Sequence, residues 1–311
     1  MELTEVLFHH QLSHSSYWHN YLQTLGWTTI NCEKMFVFSK KLPFSTNTVI
    51  RIQRSPIPIP FREVDTLAKT QKAICVIIEP HIIQYDEKSF LTNGYFTTNF
   101  WHSETATSRI DLRMQLDDIS GTLSPNARRN IRANEKHKTI SILQVDMRNK
   151  KREDYFDLFY QMYILTANRK QFRPMPFHKL KEKMRALKNC SVILFAVDKS
   201  THSTIGAYWF VLSKPIMYYL YSGMTQRGYD LSIGYNIMWE AIKFGNQHRF
   251  EGLDLGQVFD QRYSRVFSGA KAYTEFKQRF RGIEVFFPTT WVKPYNRFFE
   301  LAIRYSSLFP L

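Results

Sequence analysis

The run AICVIIEP, residues 73–80, ends in a carboxylate, Glu79, followed by proline. A short apolar run of this kind is a buried strand. Glu79 therefore sits at a strand exit, where a carboxylate can orient an amine or take its proton, or else closes a salt bridge. Tyr219 and Tyr221 lie in PIMYYLYSG (215–223), and Asp254 lies in FEGLDLG (250–256). Both segments are strand-like. We read the two tyrosines as facing opposite sides of their strand, one toward a cleft and one toward the core. Asp254 is read first as a support for its turn and second as a substrate contact. Lys277 falls in FKQRFRG (276–282), just before the last strand-like run. By itself it is a solvated lysine on an amphipathic helix or a cation turned into a cleft. Arg173 and Phe177 close NRKQFRPMPF (168–177), a proline-containing loop. An arginine there is a surface residue or a fork for phosphate or carboxylate.

A second group is purely basic. LSPNARRNIRANEKH (123–137) can be capped by Ser124, with Pro125 suited to the first helical position. It carries Arg128, Arg129, Arg132 and Lys136, and Lys138 follows. The helix 178–188 is also basic. Either could track a nucleic-acid backbone, or be a solvated face. The whole chain of 311 residues has a formal net charge of +15, which suggests a polyanionic partner such as nucleic acid, an anionic membrane face or a phosphorylated substrate.

Other chemistries are excluded by pattern. Cys32, Cys75 and Cys190 are far apart, odd in number and not in C-x-x-C spacing, so zinc and a disulfide framework are not expected. His9-His10 and His14 lack the glutamate of H-E-x-x-H, and no G-x-S-x-G elbow occurs. No metal is expected. The N-terminus has no basic-then-apolar signal, and nowhere do about 18 apolar residues run together. A cytoplasmic protein is expected.

These side chains need a scaffold. Hydrophobic residues are 44% of the chain, enough for a full core. Periodicity predicts helices over 16–25, 61–72, 123–137, 153–169, 178–188, 230–246 and 270–279. Strands are predicted over 48–53, 73–80, 108–112, 191–198, 203–212, 215–223, 250–256 and 282–287. RSPIPIP (54–60) is excluded from regular structure by its prolines. The polar stretch DMRNKKR (146–152) suggests a domain boundary. The second-half order of helices, three strands, helix, strand, helix and strand is a mixed sheet with helices packed on it, an α/β (α+β) class.

That order resembles the GNAT acyltransferase fold, and words along the chain resemble the Fem family, enzymes that build peptidoglycan interpeptide bridges. Ser15, Trp18, Gly26 and Trp27 resemble its N-terminal word, RSPIP (54–58) its "RGPV" turn, and VIIEP (76–80) its strand end. IDL (110–112) with ARRNIRANEK (127–136), YLYSG (219–223) with GLDLGQV (252–258), and FKQRFRG (276–282) continue the series in order. The resemblance implies two tandem GNAT-like domains, each a mixed, mostly antiparallel sheet flanked by helices. It places them at 1–148 and 149–288, with 289–311 packing back on the first. It implies that Lys277 meets the aminoacyl end of a donor tRNA and that Arg173 binds phosphates of a nucleotide-linked substrate. Phe177 stands where the family has a tyrosine, and an N-terminal phosphate-binding lysine aligns with Leu22 or Gln23. The acceptor site therefore departs from the family pattern.

The expected activity is transfer of an aminoacyl group from aminoacyl-tRNA to an amine of a lipid- or nucleotide-linked muropeptide, by a monomer needing no cofactor. Lys277 and Glu79 are the expected catalytic groups. Arg173, Phe177, Tyr219, Tyr221 and Asp254 are expected to bind substrate, and Arg128, Arg129, Arg132 and Lys136 nucleic acid. An acyl-CoA-dependent N-acyltransferase acting on a nucleotide- or lipid-linked sugar is the alternative. Arg227, Gly228 and Gly234 lie in TQRGYDLSIGYN (225–236) without the Q/R-x-x-G-x-G/A spacing of CoA-dependent GNAT enzymes, which argues against it. A non-catalytic RNA-binding protein is the third. The basic, aromatic C-terminus can contact the inner membrane surface or fold back on the first domain.

Overall fold

The structure, a computed structural model, describes residues 10–33, 35–54, 58–81, 86–98, 103–137, 139–264, 269–297 and 299–301. The chain divides into two compact units, Met1–Ala106 with Phe286–Leu311, and Thr107–Val285. The first begins with α1 (Ser16–Thr24), β1 (Thr28–Cys32), β2 (Met35–Lys41), β3 (Thr48–Gln53), α2 (Phe61–Thr70), β4 (Ala73–Glu79), α3 (Glu87–Thr92) and β5 (Phe96–Thr98). Then follow β6 (Ala106–Asp111), α4 (Leu116–Thr122), α5 (Pro125–His137), β7 (Ile140–Asp146), α6 (Arg152–Lys170), α7 (Phe177–Leu187), β8 (Ser191–Asp198), β9 (Ser203–Ser213) and β10 (Ile216–Met224). The chain ends with α8 (Gln226–Asp230), α9 (Gly234–Gln247), β11 (Gly252–Gln257), α10 (Ala270–Gln278), β12 (Ile283–Phe286) and β13 (Thr290–Pro294).

In the first unit the described strands form one sheet in the order β1-β2-β3-β4-β13-β5. β3 and β4 are parallel and joined through α2, as a crossover requires. Val64 and Ala68 of α2 are fully buried with Ile50, Ile52, Val76 and Ile78 of the sheet. β13 is antiparallel to both β4 and β5, with Trp291 opposite Ile78 and Thr97. The segment read as a tail thus supplies an internal strand. Residues 302–311 and 55–57 of RSPIPIP lie outside the described residues.

In the second unit the order is β12-β6-β11-β10-β9-β8-β7. β10 and β11 are parallel, joined through α9. α5 and α9 cover the face carrying Tyr208, Phe210 and Met217. α6 covers the other, where Phe156 and Phe159 meet the edge of the Trp209 ring. Mixed α/β architecture with two sheets flanked by helices is the expected class. The polar stretch at 146–152 is the turn between β7 and α6, inside the second unit, and the units part instead at 106/107 and 285/286. A charged turn joining an edge strand to a surface helix has the composition of a linker.

Candidate functional site

β10 and β11 run side by side from Ile216 opposite Gly252 to Tyr218 opposite Asp254, and their pairing stops there. Both strands become irregular at that level. β10 shifts register against β9 between Tyr219 and Tyr221, and β11 shifts against β6 between Asp254 and Gln257. Gly256 turns with φ +69°, and a Cβ on it would stand 3.2 Å from the Tyr219 carbonyl oxygen. In open α/β sheets ligands sit at the carboxyl ends of parallel strands, where adjacent strands part.

Lys277 comes to this place from the last turn of α10. Its Nζ donates to the Gln257 carbonyl oxygen at 2.7 Å, and the side chain is only 7% exposed. The ammonium lies 5.6 Å from the centre of the Tyr219 ring and 5.0 Å from that of Tyr273. Aromatic faces carry negative potential, so a desolvated cation is favoured there. Tyr219 is stacked on Tyr208 at 5.2 Å. Burial pushes the Tyr219 hydroxyl above the usual phenol range, so it is a neutral hydrogen-bonding group at neutral pH.

Asp254 supports the turn. Its carboxylate accepts from Arg109 Nε at 2.7 Å, from the Gly256 amide at 2.7 Å and from the Thr107 hydroxyl. It is buried with Arg109 in an ion pair that ties β6 to β11. Its carboxylate is thereby engaged with the chain itself, against the substrate contact expected second.

Tyr221 does face away from Tyr219, for a reason the sequence did not show. Residues two apart share a face in a regular strand. The irregularity between them inserts one residue, and Tyr221 turns to the α6 side, against Trp209 at 5.6 Å and Tyr163 at 5.8 Å. There its hydroxyl accepts from Lys183 Nζ at 3.1 Å. Lys183 was missed inside a helix read as a basic face. It is 7% exposed, and its spacing with Leu180, Met184 and Leu187 was the available signal for a core-facing position.

Arg173 and Phe177 belong to this second face. The Tyr160 hydroxyl donates to the Met175 carbonyl, and the Met175 amide donates to the Tyr163 hydroxyl, both at 3.2 Å. The loop is pinned at Met175 by two tyrosines of α6, and Arg173 is exposed. Phe177 packs edge-on against Tyr160 at 4.9 Å. The structure therefore brings Lys277 to Tyr219 on one face of β10, and Tyr221 to the Arg173 loop on the other.

Glu79 lies in the first unit. It is 0% exposed, and its carboxylate accepts from the Ser103 amide and hydroxyl at 2.7 Å each and from Arg51 at 3.4 Å. Gln53 donates to the same Ser103 hydroxyl at 2.9 Å and accepts from Trp18 Nε1 at 3.3 Å. A carboxylate enclosed in this way anchors a buried polar network.

On α5, Arg129, Arg132 and Lys136 are exposed along one stripe, and Arg128 donates to the Gly121 carbonyl at 2.6 Å. The glycines of the 225–236 stretch are explained by packing. A Cβ on Gly228 would stand 2.2 Å from the Ile205 oxygen, and one on Gly234 would stand 2.5 Å from the Tyr208 hydroxyl. Arg227 is paired with Asp198 at 2.5 Å. Among the described residues, no cluster of three or more His, Cys, Asp or Glu side chains could hold a metal ion, and no helix is long and apolar enough to cross a membrane.

Among solved structures, FemX matches with a TM-score of 0.77 at 12% identity, covering 97% of this chain and 98% of that one. The chain has the FemX fold. The C-terminal domain of a putative lysylphosphatidylglycerol synthetase from Agrobacterium fabrum matches at TM-score 0.62 and 9% identity, covering 98% of this chain and 95% of that one. L-PGS from Bacillus licheniformis matches at 0.57 and 10%, covering 91% and 88%. No protein-family model and no curated protein matches by sequence. The likeness to FemX covers both sheet-and-helix units of this chain.

Proposed function

We propose that the chain is an acyltransferase that moves an aminoacyl group from aminoacyl-tRNA to an amine of a lipid- or nucleotide-linked peptidoglycan precursor. The observation that carries this reading is the desolvated Lys277 ammonium at the end of the β10/β11 pair, in a chain with the FemX fold from end to end. The Fem-like words of the sequence supply the substrate class.

The acceptor amine attacks the ester carbonyl carbon directly. As the N–C bond forms, the carbonyl electrons move onto oxygen, and the resulting oxyanion needs a fixed cation or donor beside it. Lys277 is that cation, and the neutral Tyr219 hydroxyl is a second group on the same face. Collapse breaks the bond to the ribose oxygen, which leaves with a proton from the amine. No covalent enzyme intermediate forms. Arg173 holds a phosphate or carboxylate of the acceptor on its loop above Phe177. The stripe Arg129, Arg132 and Lys136 contacts the tRNA backbone.

A donor competition tests this. The pure protein is given labelled aminoacyl-tRNAs or labelled acetyl-CoA, with lipid-linked and nucleotide-linked muropeptides. Label is expected to pass from tRNA to muropeptide, and to be lost with Lys277→Ala. Transfer from CoA alone, or tight CoA binding without transfer from tRNA, overturns the tRNA reading.

A further inference from the structure

One end of the first unit's sheet is made of four short segments. They are the turn after α1, the β2–β3 connection, the α2–β4 turn and the end of β13. Strand register brings them together, with Thr28 opposite Ser39, Lys41 opposite Thr48, Thr48 opposite Ala73, and Pro294 opposite Cys75. Across 24–27, 40–48, 69–73 and 294–297 stand Lys40, Lys41, Lys69, Lys72 and Arg297, and no Asp or Glu. Lys41, Lys69, Lys72 and Arg297 are exposed. Lys40 reaches over Trp27, 5.8 Å from its ring centre, and donates to the Leu25 carbonyl at 2.7 Å.

From this basic end projects Leu42-Pro43-Phe44. The Phe44 side chain is fully exposed, more so than any other large apolar side chain among the described residues. Its φ is +55°, a region disfavoured for a bulky residue. The connection is closed beneath it. Leu42 N donates to the Asn47 oxygen at 2.9 Å, Ser45 N to the Leu42 oxygen at 3.3 Å, and Asn47 N to Ser45 Oγ at 3.0 Å. An aromatic held outward on a closed, disfavoured turn contributes nothing to the core of its own unit.

We infer that this end of the first unit docks on an anionic phospholipid bilayer. Leu42, Pro43 and Phe44 enter the boundary between headgroups and acyl chains, and the four exposed cations meet lipid phosphates. The arrangement matches the depth profile of such an interface, apolar at the tip and positive around it. A polynucleotide site would instead line a groove with stacking rings along a charged track. The inference rests on the first unit alone and stands apart from the acyl-transfer reading.

Co-sedimentation of the full chain with vesicles tests it. Binding is expected to phosphatidylglycerol-containing vesicles and not to pure phosphatidylcholine, and it weakens with salt. Phe44→Ser, at a fully exposed position, is expected to weaken it roughly tenfold or more. Lys41→Ala and Lys72→Ala are each expected to weaken it about fivefold. No binding by the unaltered protein, or equal binding by Phe44→Ser, overturns the proposal. RNA binding or dimerisation that is lost in Phe44→Ser while vesicle binding is unchanged also overturns it, and assigns the surface to that partner. None of these readouts depends on acyl transfer, so their failure is separable from a failure of the proposed activity.

Discussion

The Lys277 ammonium stands over the Tyr219 ring, 5.6 Å from its centre, while its Nζ is fixed by the Gln257 carbonyl at 2.7 Å. The two side chains come from elements far apart in sequence, and the irregular ends of β10 and β11 let them meet. A cation already desolvated and oriented needs no reorganisation when negative charge develops beside it. Lys277→Ala is therefore expected to lower kcat about 100-fold or more, with a smaller change in donor KM. Lys277→Arg is expected not to restore it, because a guanidinium is bulkier than the site beside Gly256 admits. Steady-state transfer kinetics alongside thermal melts decide the matter. Unchanged kcat in a folded Lys277→Ala protein removes Lys277 from the chemistry.

The Arg109–Asp254 pair makes a different prediction. Both side chains are buried, and removing one partner leaves an uncompensated charge, which typically costs about 3–5 kcal/mol. Arg109→Met is expected to destabilise the chain by about that much. The double variant Arg109→Met with Asp254→Leu is expected to recover part of the loss. Urea denaturation of the parent, Arg109→Met, Asp254→Leu and the double variant measures the coupling. A single variant as stable as the parent would show that the pair is not buried as described.

The sequence exposed the longer helices and the central strands of the second unit because their apolar periodicity is strong. It hid β1, β2, β5, β7 and β13, and the short helices α3, α4 and α8. The exposed or half-buried positions of β1 and β7 leave no run of apolar residues to read. β13 is recognisable only through its distant partners β4 and β5. Lys277 was legible through its word, but its contact with Tyr219 depends on an irregularity that no alternation pattern reveals. Glu79 and Asp254 show the converse. Their positions at strand ends were readable, yet whether such a carboxylate faces substrate or Ser103 and Arg109 is decided by residues 24 and 145 positions away.

Gly223 tests how tightly β10 is seated on α6. A Cβ there would stand 2.2 Å from the Met162 carbonyl carbon and 2.3 Å from the Tyr163 amide nitrogen, both backbone atoms that cannot step aside. Gly223→Ala is expected to cost about 3 kcal/mol or more and to disturb the contact between Tyr163 and Tyr221. Gly121→Ala is the control. It lies in α4 with nothing within 4 Å of the new Cβ, and a helical alanine there is expected to be neutral or stabilising by about 0.5–1 kcal/mol. Chemical denaturation of both variants checks the contrast. Equal stability would mean that β10 can move off α6 without penalty.

The last prediction concerns pH. His14 lies with Nε2 3.3 Å from the Gln53 carbonyl, and burial holds its pKa down to about 4, with His10 and His19 adding to the effect against backbone hydrogen bonds that oppose it. An unfolded histidine titrates near 6.5. Between about pH 6.5 and 4 the unfolded chain therefore binds a proton that the folded ring refuses. Stability must fall as the pH drops through that window, and this contribution is level below it. His19 is lowered in the same direction by its own burial. The His14 share is on the order of 3 kcal/mol across the whole window. His14→Gln is expected to flatten that part of the curve of stability against pH. Parallel unfolding curves of parent and variant at pH 7 and pH 5 isolate it, since carboxylates common to both cancel. If the two proteins lose the same stability between those values, His14 is not held neutral by the fold.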